Sequence, residues 1–273
     1  MKALVAIIVA TLLSSWSGLC LTNQKVPLIV AHRGASHDAP ENTVAAFRLA
    51  WQQKADAIEA DFYLTKDGRV VCIHDATTGR TAEIDLPVGQ ATLQELRRLD
   101  VGSWKGKRWG GEKIPTIEEV FATVPEGKEI YAHVKCGPEI FPPLKEALRR
   151  SGLEPGQVRI LTSDKSVITE AKKQLPGIAV FWLMDEAGGA QAKQVSPDTE
   201  QFIANLKTGG AKGISIDARA AVSSAFVEAL RRYKMELHVW NVDDISTTVR
   251  TWHLGAGSLT TDHPGWFRML LRG

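Results

Sequence analysis

The chain alternates short apolar segments rich in β-branched residues with longer stretches of helical period. This alternation constrains the fold more than any other feature, because strands and helices that take turns form a mostly parallel sheet covered by helices. Nine segments are predicted to be strands: 28–32, 57–61, 69–74, 130–135, 158–162, 178–183, 213–217, 236–242 and 257–261. Helices are predicted over 43–53, 117–124, 142–151, 166–174, 199–208, 223–233 and 245–254.

A single (β/α)8 TIM barrel over residues 26–270 accommodates these segments, since such barrels commonly take about 250 residues as one domain. The barrel has eight strand positions, one fewer than the predicted strands. Segments 57–61 and 69–74 are joined through Asp67-Gly68, a hairpin-turn signal, and this connection is too short for a crossover helix. One strand therefore lies outside the regular barrel. The loop-rich piece at about 76–114 is predicted to be a small insertion after the third strand.

The first residues differ from the rest of the chain. Lys2 precedes an unbroken apolar run, 3–13, which small and polar residues follow. This pattern is typical of a secretory signal peptide, and the run is too short for a bilayer, which needs about 20 residues. We expect residues 1–22 to be a signal peptide and the mature protein to be exported, either periplasmic or secreted. The alternatives are an uncleaved membrane anchor and a lipoprotein attached at Cys20, although Leu19 is bulkier than lipid-attachment signals favour.

The charge balance argues against one class of partner. The chain has 33 Lys and Arg against 31 Asp and Glu, a net charge of +2, and no long basic run. Nucleic-acid surfaces are strongly basic, so we expect no nucleic-acid partner. Two cysteines outside the leader, Cys72 and Cys136, form no disulfide framework; one bridge and two thiols are both compatible with the sequence.

Polar side chains capable of acid–base and metal chemistry stand at the ends of early predicted strands. His32 and Arg33 close the first strand, and His74 closes the third. Glu59 and Asp61 are two residues apart near the end of the second, so their carboxylates share a face. Strand ends in a barrel meet at the catalytic face. Two imidazoles, two parallel carboxylates and a guanidinium gathered there indicate metal-assisted acid–base chemistry on an anion.

Ordered motifs along the chain resemble the glycerophosphodiester phosphodiesterase family. They span about residues 28–265, nearly the whole mature chain, and their order makes the match more specific than any single motif. The motifs are Ala31-His32-Arg33-Gly34-Ala35, Pro40-Glu41-Asn42-Thr43, Ile58-Glu59-Ala60-Asp61, Val71-Cys72-Ile73-His74-Asp75, Thr78-Gly79-Arg80-Thr81, Val239-Trp240-Asn241-Val242 and Thr260-Thr261-Asp262-His263-Pro264.

The resemblance implies that His32 and His74 are the acid–base pair and that Glu59 and Asp61 bind a divalent cation. Histidine suits both proton transfers because its unperturbed pKa lies near neutrality. Each such transfer typically contributes about 10²–10⁴-fold to the rate. Which histidine is the acid and which the base stays open.

The resemblance also implies the substrate contacts. Arg33 and Lys135 contact the phosphate, the former as a rigid fork and the latter as a point charge. Trp240 packs against the alcohol part of the substrate. Glu41 has a supporting role near the metal.

One residue departs from the family pattern. The family has a third metal carboxylate, a Glu two residues before the lysine, where this chain has His133. The expected cofactor is one divalent ion, Mg²⁺, Ca²⁺, Mn²⁺ or Zn²⁺. Calcium prefers oxygen ligands whereas Mn²⁺ and Zn²⁺ accept imidazole, so our hypothesis is that His133 remains a ligand and disfavours Ca²⁺. The alternative is that His133 no longer binds metal and catalysis is weakened or lost.

The sequence thus predicts a metal-dependent hydrolase that converts small glycerophosphodiesters to an alcohol and glycerol 3-phosphate, with no membrane span after signal cleavage. Two alternatives share the fold. One is a phospholipase-D-like enzyme on intact lipids, which would need an apolar surface around the mouth. The other is a binding protein that has lost full metal coordination.

Overall fold

The computed structural model describes residues 25–184, 196–220 and 222–270. Eight strands within these ranges pair in parallel around a closed barrel. They are β1 (Leu28–Ala31), β2 (Ala57–Leu64), β4 (Glu129–Val134), β5 (Val158–Thr162), β6 (Ala179–Met184), β7 (Gly213–Asp217), β8 (Glu236–Trp240) and β9 (Ser258–Thr261). The barrel closes because Val30 of β1 pairs with Ala57 of β2 on one side and with Thr260 of β9 on the other.

The ninth strand, β3 (Val70–Cys72), lies outside the barrel. It pairs antiparallel with the end of β2, with Phe62 opposite Cys72. The turn between them contains Gly68 at a φ of 73°, a left-handed conformation that glycine adopts without steric cost. The hairpin prediction is confirmed, and β2 runs three residues further than expected because its end is paired with β3.

Helices alternate with the strands and cover the barrel. They are α1 (Val44–Gln52), α2 (Leu93–Leu96), α3 (Ile117–Phe121), α4 (Phe141–Ser151), α5 (Lys165–Gln174), α6 (Pro197–Gly209), α7 (Ser224–Arg232), α8 (Ile245–Leu254) and α9 (Pro264–Leu270). N-cap side chains explain where four of these helices begin. Each accepts a hydrogen bond from a backbone N–H in the first turn of its helix, and the four residues are Thr43, Asp164, Ser223 and Asp244. The prediction missed α2 and α9, which have four and seven residues and carry little periodic signal.

Two apolar cores follow from the alternation of side chains along each strand. Residues that point into the barrel form a small inner core of Val30, Ala57, Tyr131, Leu161 and Phe181. The opposite faces of the strands pack against the helices in a much larger core. Because the inner core is confined to the lower part of the barrel, the polar inward residues nearer the strand ends line the mouth.

The insertion after β3 has a small core of its own. Val88, Leu96, Val101 and Ile114 are buried together with two residues of the β3 segment. Its short helix α2 begins with a capping box, in which Thr92 and Glu95 satisfy each other's backbone N–H groups. The insertion is therefore a packed element beside the barrel mouth.

The predictions about the leader, a membrane span and the cysteines can be compared with the structure only in part. The predicted signal peptide and Cys20 lie outside the described residues. Within the described ranges, every helix is too short or too polar to cross a bilayer. Cys72 and Cys136 are both free thiols, and Sγ of Cys72 donates to Oδ1 of Asn42 at 3.1 Å.

Candidate active site

Three side chains converge on one point at the barrel mouth. Glu59 and Asp61 project from β2, and His133 stands opposite Asp61 on β4. Nδ1 of His133 lies 2.9 Å from Oδ1 of Asp61 and 3.8 Å from Oε1 of Glu59. The other carboxylate oxygens are held in place: Oε2 of Glu59 accepts from the backbone N–H of Arg33 at 3.0 Å, and Oδ2 of Asp61 accepts from Nδ2 of Asn42 at 2.9 Å.

These three residues fit a divalent cation. Their ligand atoms lie within 4.8 Å of one another, and both carboxylates are buried. Two oxygens and an imidazole nitrogen form a mixed donor set that Mn²⁺ and Zn²⁺ accept. A buried pair of carboxylates this close is unfavourable without a balancing positive charge, which gives a cation a physical role here.

The pKa values of Glu59 and Asp61 are shifted in opposite directions. Burial raises the pKa of Glu59, and the adjacent charge of Asp61 raises it further. Burial also opposes ionisation of Asp61, but the hydrogen bond and charge of His133, together with the Arg33 guanidinium, hold the pKa of Asp61 well below its usual range. Asp61 therefore ionises more readily than Glu59.

His32 follows β1 and is held by a residue from the opposite end of the chain. Its Nδ1 lies 2.6 Å from Oδ1 of Asp262. The amide of Asn241 lies 2.7 Å from the same ring nitrogen. Burial lowers the pKa of His32, but the hydrogen bond with Asp262 and the charge of Glu59 outweigh it, so the pKa of His32 is raised. The carboxylate on Nδ1 leaves Nε2 of His32 for the pocket.

His74 has a similar arrangement on the other side. Its Nδ1 lies 2.6 Å from Oδ1 of Asp75, and its Nε2 lies 3.3 Å from Nζ of Lys135. Burial lowers the pKa of His74, and the charges of Arg33 and Lys135 reinforce this against the attraction of Asp61. The structure thus separates the two imidazoles: the pKa of His32 is raised and that of His74 is lowered.

The two cations expected at the phosphate both line the same pocket. Lys135 lies just beyond β4, with Nζ 3.9 Å from Oδ1 of Asp61. Nε of Arg33 lies 3.5 Å from Oδ2 of Asp61, and Nη1 donates to Oε1 of Glu41 at 2.9 Å. Glu41 therefore supports Arg33. Among the described residues, the hydrogen bonds of the Glu41 carboxylate go to Arg33 and Arg80 and not to the three residues that would hold the metal.

The pocket has a polar wall and an apolar wall. Its volume is about 140 Å³. The polar wall contains the seven groups already described, which stand on or just after β1, β2, β3 and β4: His32, Arg33, Glu59, Asp61, His74, His133 and Lys135. Leu161, Leu183 and Trp240, from β5, β6 and β8, form the apolar wall. Nε1 of Trp240 is buried and has no hydrogen-bond partner among the described residues.

Two other polar residues turn out to be structural. His238 is fully buried under the pocket, between Oγ of Ser258 at 2.7 Å and Oγ1 of Thr260 at 2.8 Å. Burial lowers the pKa of His238 to about 3, so this ring is neutral. The carboxylate of Asp217 is bound by the guanidinium of Arg219, with Nη2 2.6 Å from Oδ2.

Sequence reasoning did not single out the residues that hold the site together. Asp262, Asp75, Arg80, Asn42 and Asn241 were noticed only as members of motifs. The signal was present, because Asp75 directly follows His74 and Asn42 directly follows Glu41. Their partners, however, come from other segments, so only the closed barrel shows what each one binds.

A mouth of this kind can hold an anion beside a cation and exchange protons on either side of it. Cleavage of a phosphate diester requires both, since charge must be neutralised and the leaving oxygen must be protonated. Fold and site together define a phosphoric diester hydrolase on a TIM barrel.

Comparison with known proteins identifies the family. The family model of the glycerophosphoryl diester phosphodiesterase family matches residues 32–266. The chain is 30% identical to a glycerophosphodiester phosphodiesterase of Bacillus subtilis, over 90% of this chain and 87% of the relative. It is also 30% identical to one of Caldanaerobacter subterraneus, over 90% and 98%. The chain belongs to the glycerophosphoryl diester phosphodiesterase family.

Solved structures confirm the barrel. A phosphodiesterase of Oleispira antarctica, solved with its product sn-glycerol-3-phosphate, superposes with a TM-score of 0.81 at 24% identity and covers 91% of this chain and 98% of its own. A glycerophosphodiester phosphodiesterase of Thermotoga maritima gives a TM-score of 0.72 at 24% identity, with 91% and 100% covered. At such identities the likeness shows the fold.

Proposed function

We propose that this protein hydrolyses glycerophosphodiesters to an alcohol and glycerol 3-phosphate, with His32 and His74 as the acid–base pair and a divalent cation on Glu59, Asp61 and His133. One observation carries the proposal: both Asp-held imidazoles line the same small pocket as the buried three-ligand cluster. The family membership and the product bound by the Oleispira relative support glycerol 3-phosphate as the product.

The residues divide the work as follows. Arg33 and Lys135 bind and orient the phosphate oxygens, and the fixed fork of Arg33 sets their plane. The bound cation supplies Lewis-acid stabilisation of negative charge on the phosphate, typically worth several kcal/mol. Leu161, Leu183 and Trp240 exclude water from the opposite wall and contact the carbon skeleton of the substrate.

Proton transfer takes place at Nε2 of the two imidazoles. One imidazole accepts the proton of the attacking water as the new P–O bond forms. The other donates a proton to the alkoxide as the old P–O bond breaks, so that the alcohol leaves neutral. Asp262 and Asp75 keep the Nδ1 protons in place, which fixes each ring in the tautomer that presents Nε2 to the substrate.

The donor set favours particular metals. His133 gives the site a nitrogen ligand. The site therefore has one negative charge fewer than it would have with three carboxylates. We therefore propose Mn²⁺ or Zn²⁺ in preference to Ca²⁺, because calcium selects oxygen ligands. Nδ1 of His133 lies 2.9 Å from Oδ1 of Asp61, so the two residues would hold a cation together.

The test is a matrix of substrates and metals. Glycerophosphocholine, glycerophosphoethanolamine and a bilayer phospholipid are each incubated with chelator-treated protein and added Mg²⁺, Ca²⁺, Mn²⁺ or Zn²⁺. Release of glycerol 3-phosphate from the two soluble diesters, dependent on the metal, supports the proposal. Turnover of the bilayer lipid alone would instead indicate a lipid phosphodiesterase, and no turnover with any metal would indicate a binding protein.

The leader supports a proposal about location. Residues 1–22 have the charge and apolar pattern of a signal peptide, and we propose export of the remaining chain. Mass spectrometry of the mature N-terminus in cell fractions tests this. An intact Met1 on protein that stays in the cytoplasm would contradict it.

A further inference from the structure

Arg80 lies in the insertion, outside the pocket, and contacts two carboxylates that each hold a pocket side chain. Its Nη1 and Nη2 donate to the two carboxylate oxygens of Glu41, at 2.9 and 2.7 Å. Its Nε donates to Oδ2 of Asp75 at 2.5 Å. All three guanidinium nitrogens are thus engaged by carboxylates from two separate segments of the chain.

Each carboxylate continues into the active site. Oε1 of Glu41 also accepts from Nη1 of Arg33 at 2.9 Å. Oδ1 of Asp75 lies 2.6 Å from Nδ1 of His74. The contacts therefore run from Arg33 through Glu41, Arg80 and Asp75 to His74. We call Arg33 with Glu41 the phosphate-binding arm and His74 with Asp75 the proton-transfer arm. The guanidinium of Arg80 joins the two.

The loop that carries Arg80 is closed on itself. Oγ1 of Thr78 donates to the carbonyl of Ile84 at 2.5 Å and accepts from the N–H of Leu86 at 2.9 Å. The N–H of Gly79 donates to Oδ1 of Asp85 at 2.8 Å. These bonds fix the backbone on both sides of the Arg80 side chain.

An exposed ion pair usually contributes little, because solvent screens it and long side chains lose freedom when they form it. Arg80 differs in both respects. The Glu41 side chain is only 12% exposed, so its charge is poorly screened. The guanidinium binds it through two parallel hydrogen bonds, a geometry that loses less freedom per bond.

We propose that Arg80 is a positioning residue that fixes Arg33 and His74 together, through Glu41 and Asp75. This inference rests on the proposed function, which assigns Arg33 to the phosphate and His74 to proton transfer. Glu41 is shared between two guanidinium groups, so Arg33 keeps net positive charge toward the substrate. Without Arg80, Arg33 alone would neutralise Glu41 and be drawn away from the phosphate.

The second arm acts on the tautomer of His74. Because Arg80 holds Oδ2 of Asp75, the carboxylate keeps Oδ1 at Nδ1 of the ring. The proton then stays on Nδ1, and Nε2 faces the pocket. Loss of Arg80 frees the Asp75 carboxylate to rotate toward solvent and leaves the ring without a fixed orientation.

Arg80→Gln and Arg80→Lys test the proposal. Arg97→Gln is the matched control, because it removes another arginine–glutamate pair, between Arg97 of the insertion and Glu119 of α3. For Arg80→Gln we expect kcat on glycerophosphocholine and the affinity for glycerol 3-phosphate each to fall about tenfold or more, the scale of a misplaced reacting group. Arg80→Lys keeps the charge without the fork, so it restores part of the affinity but not kcat. Arg97→Gln leaves both at the wild-type level. Full recovery of both quantities in Arg80→Lys would overturn the bridging role.

Substitutions of the two carboxylates separate the arms. Asp75→Asn should lower kcat and leave the affinity for glycerol 3-phosphate unchanged, whereas Glu41→Gln should weaken that affinity more than it lowers kcat. When Arg80→Gln is added to a variant that carries both Asp75→Asn and Glu41→Gln, we expect no further loss, because the residues act as a unit. Additive losses would show that Arg80 acts by another route.

A nitrogen-15 spectrum of the histidine rings gives a readout independent of turnover. In the wild type we expect neutral His74 with its proton on Nδ1, and in Arg80→Gln a mixture of both tautomers. If the wild type cleaves no diester, the proposed function fails, and the spectrum still tests the hold of Arg80 on His74. An unchanged tautomer in Arg80→Gln overturns this inference.

Discussion

Nδ1 of His32 lies 2.6 Å from Oδ1 of Asp262, although the two residues stand 230 positions apart in the chain. The closure of the barrel creates this contact, because Ala31 at the end of β1 pairs with Thr261 at the end of β9. His32, which follows β1, and Asp262, which follows β9, therefore lie side by side at the barrel mouth. An active-site imidazole is thus oriented by the same strand pairing that completes the fold.

Asp262→Asn removes the carboxylate while nearly preserving the shape of the side chain. The pKa of His32 is raised, with the hydrogen bond to Asp262 overcoming the effect of burial, so removal of Asp262 lowers it. We expect the limb of the kcat/KM–pH profile that reports His32 to move to lower pH, and kcat to fall about 10²-fold. Asp38→Asn, a nearby carboxylate outside the pocket, is the control and should change neither. A profile that stays in place would contradict the positioning of His32 by Asp262.

His32→Ala and His74→Ala each remove one proton-transfer group. We expect kcat to fall by about 10²–10⁴-fold in each case. His37→Ala is the matched control, because this ring is exposed, stacks on His263 with ring centroids 3.8 Å apart, and does not line the pocket. Steady-state kinetics gives the rates and circular dichroism checks the fold. Retained activity in either variant would remove that histidine from the mechanism.

His133→Glu replaces the nitrogen ligand by a carboxylate. We expect tighter Ca²⁺ binding, by about tenfold or more, because the variant supplies a third oxygen donor and one more negative charge. Affinity for Zn²⁺ should change less, since zinc accepts both ligand types. Isothermal titration of both proteins with each metal, after chelator treatment, measures this without any substrate. Equal Ca²⁺ affinity in the two proteins would show that His133 is not a ligand.

Much of the barrel could be predicted from the sequence because local pattern decides its elements. The barrel strands are short and rich in apolar residues, and Val158–Thr162 and Gly213–Asp217 have the predicted bounds. The Asp67-Gly68 turn likewise identified the strand outside the barrel. The helix α2, with four residues, was missed because a single turn has too few positions to show a period.

The site was predictable only in part. Glu59 and Asp61 could be grouped because strand alternation places them on one face, and the family resemblance added His133. The register of β2 with β4 places His133 opposite Asp61. The contacts that orient Arg33 and His74 could not be predicted, because a hydrogen bond between Arg80 and Glu41 depends on how the insertion folds back over the mouth. Local pattern gives the chemical groups, whereas long-range packing decides their orientation.

Asp56 connects the bottom of the barrel to the C-terminal helix and gives a prediction about stability. Its Oδ2 accepts from the backbone N–H of Ile29 at 3.1 Å and from Nη2 of Arg268 at 2.5 Å. Burial raises the pKa of Asp56, but these hydrogen bonds and the charges of Arg268 and Lys128 lower it more, so the pKa of Asp56 is below its usual value. A carboxyl group of lowered pKa stabilises the folded state above its unfolded pKa, about 3.9, and loses this contribution as the pH falls through the folded pKa.

Asp56→Asn removes that charge. We expect it to lower the free energy of unfolding by about 1 kcal/mol near neutral pH, a small figure because the group is partly exposed to solvent. The difference from the wild type should shrink as the pH falls below about 4, where the unfolded wild-type chain binds the proton. Urea denaturation of both proteins at a series of pH values measures this, with the exposed Glu126→Gln as control. A difference that stays constant down to acidic pH would show that the Asp56 charge does not fasten α9 to the barrel.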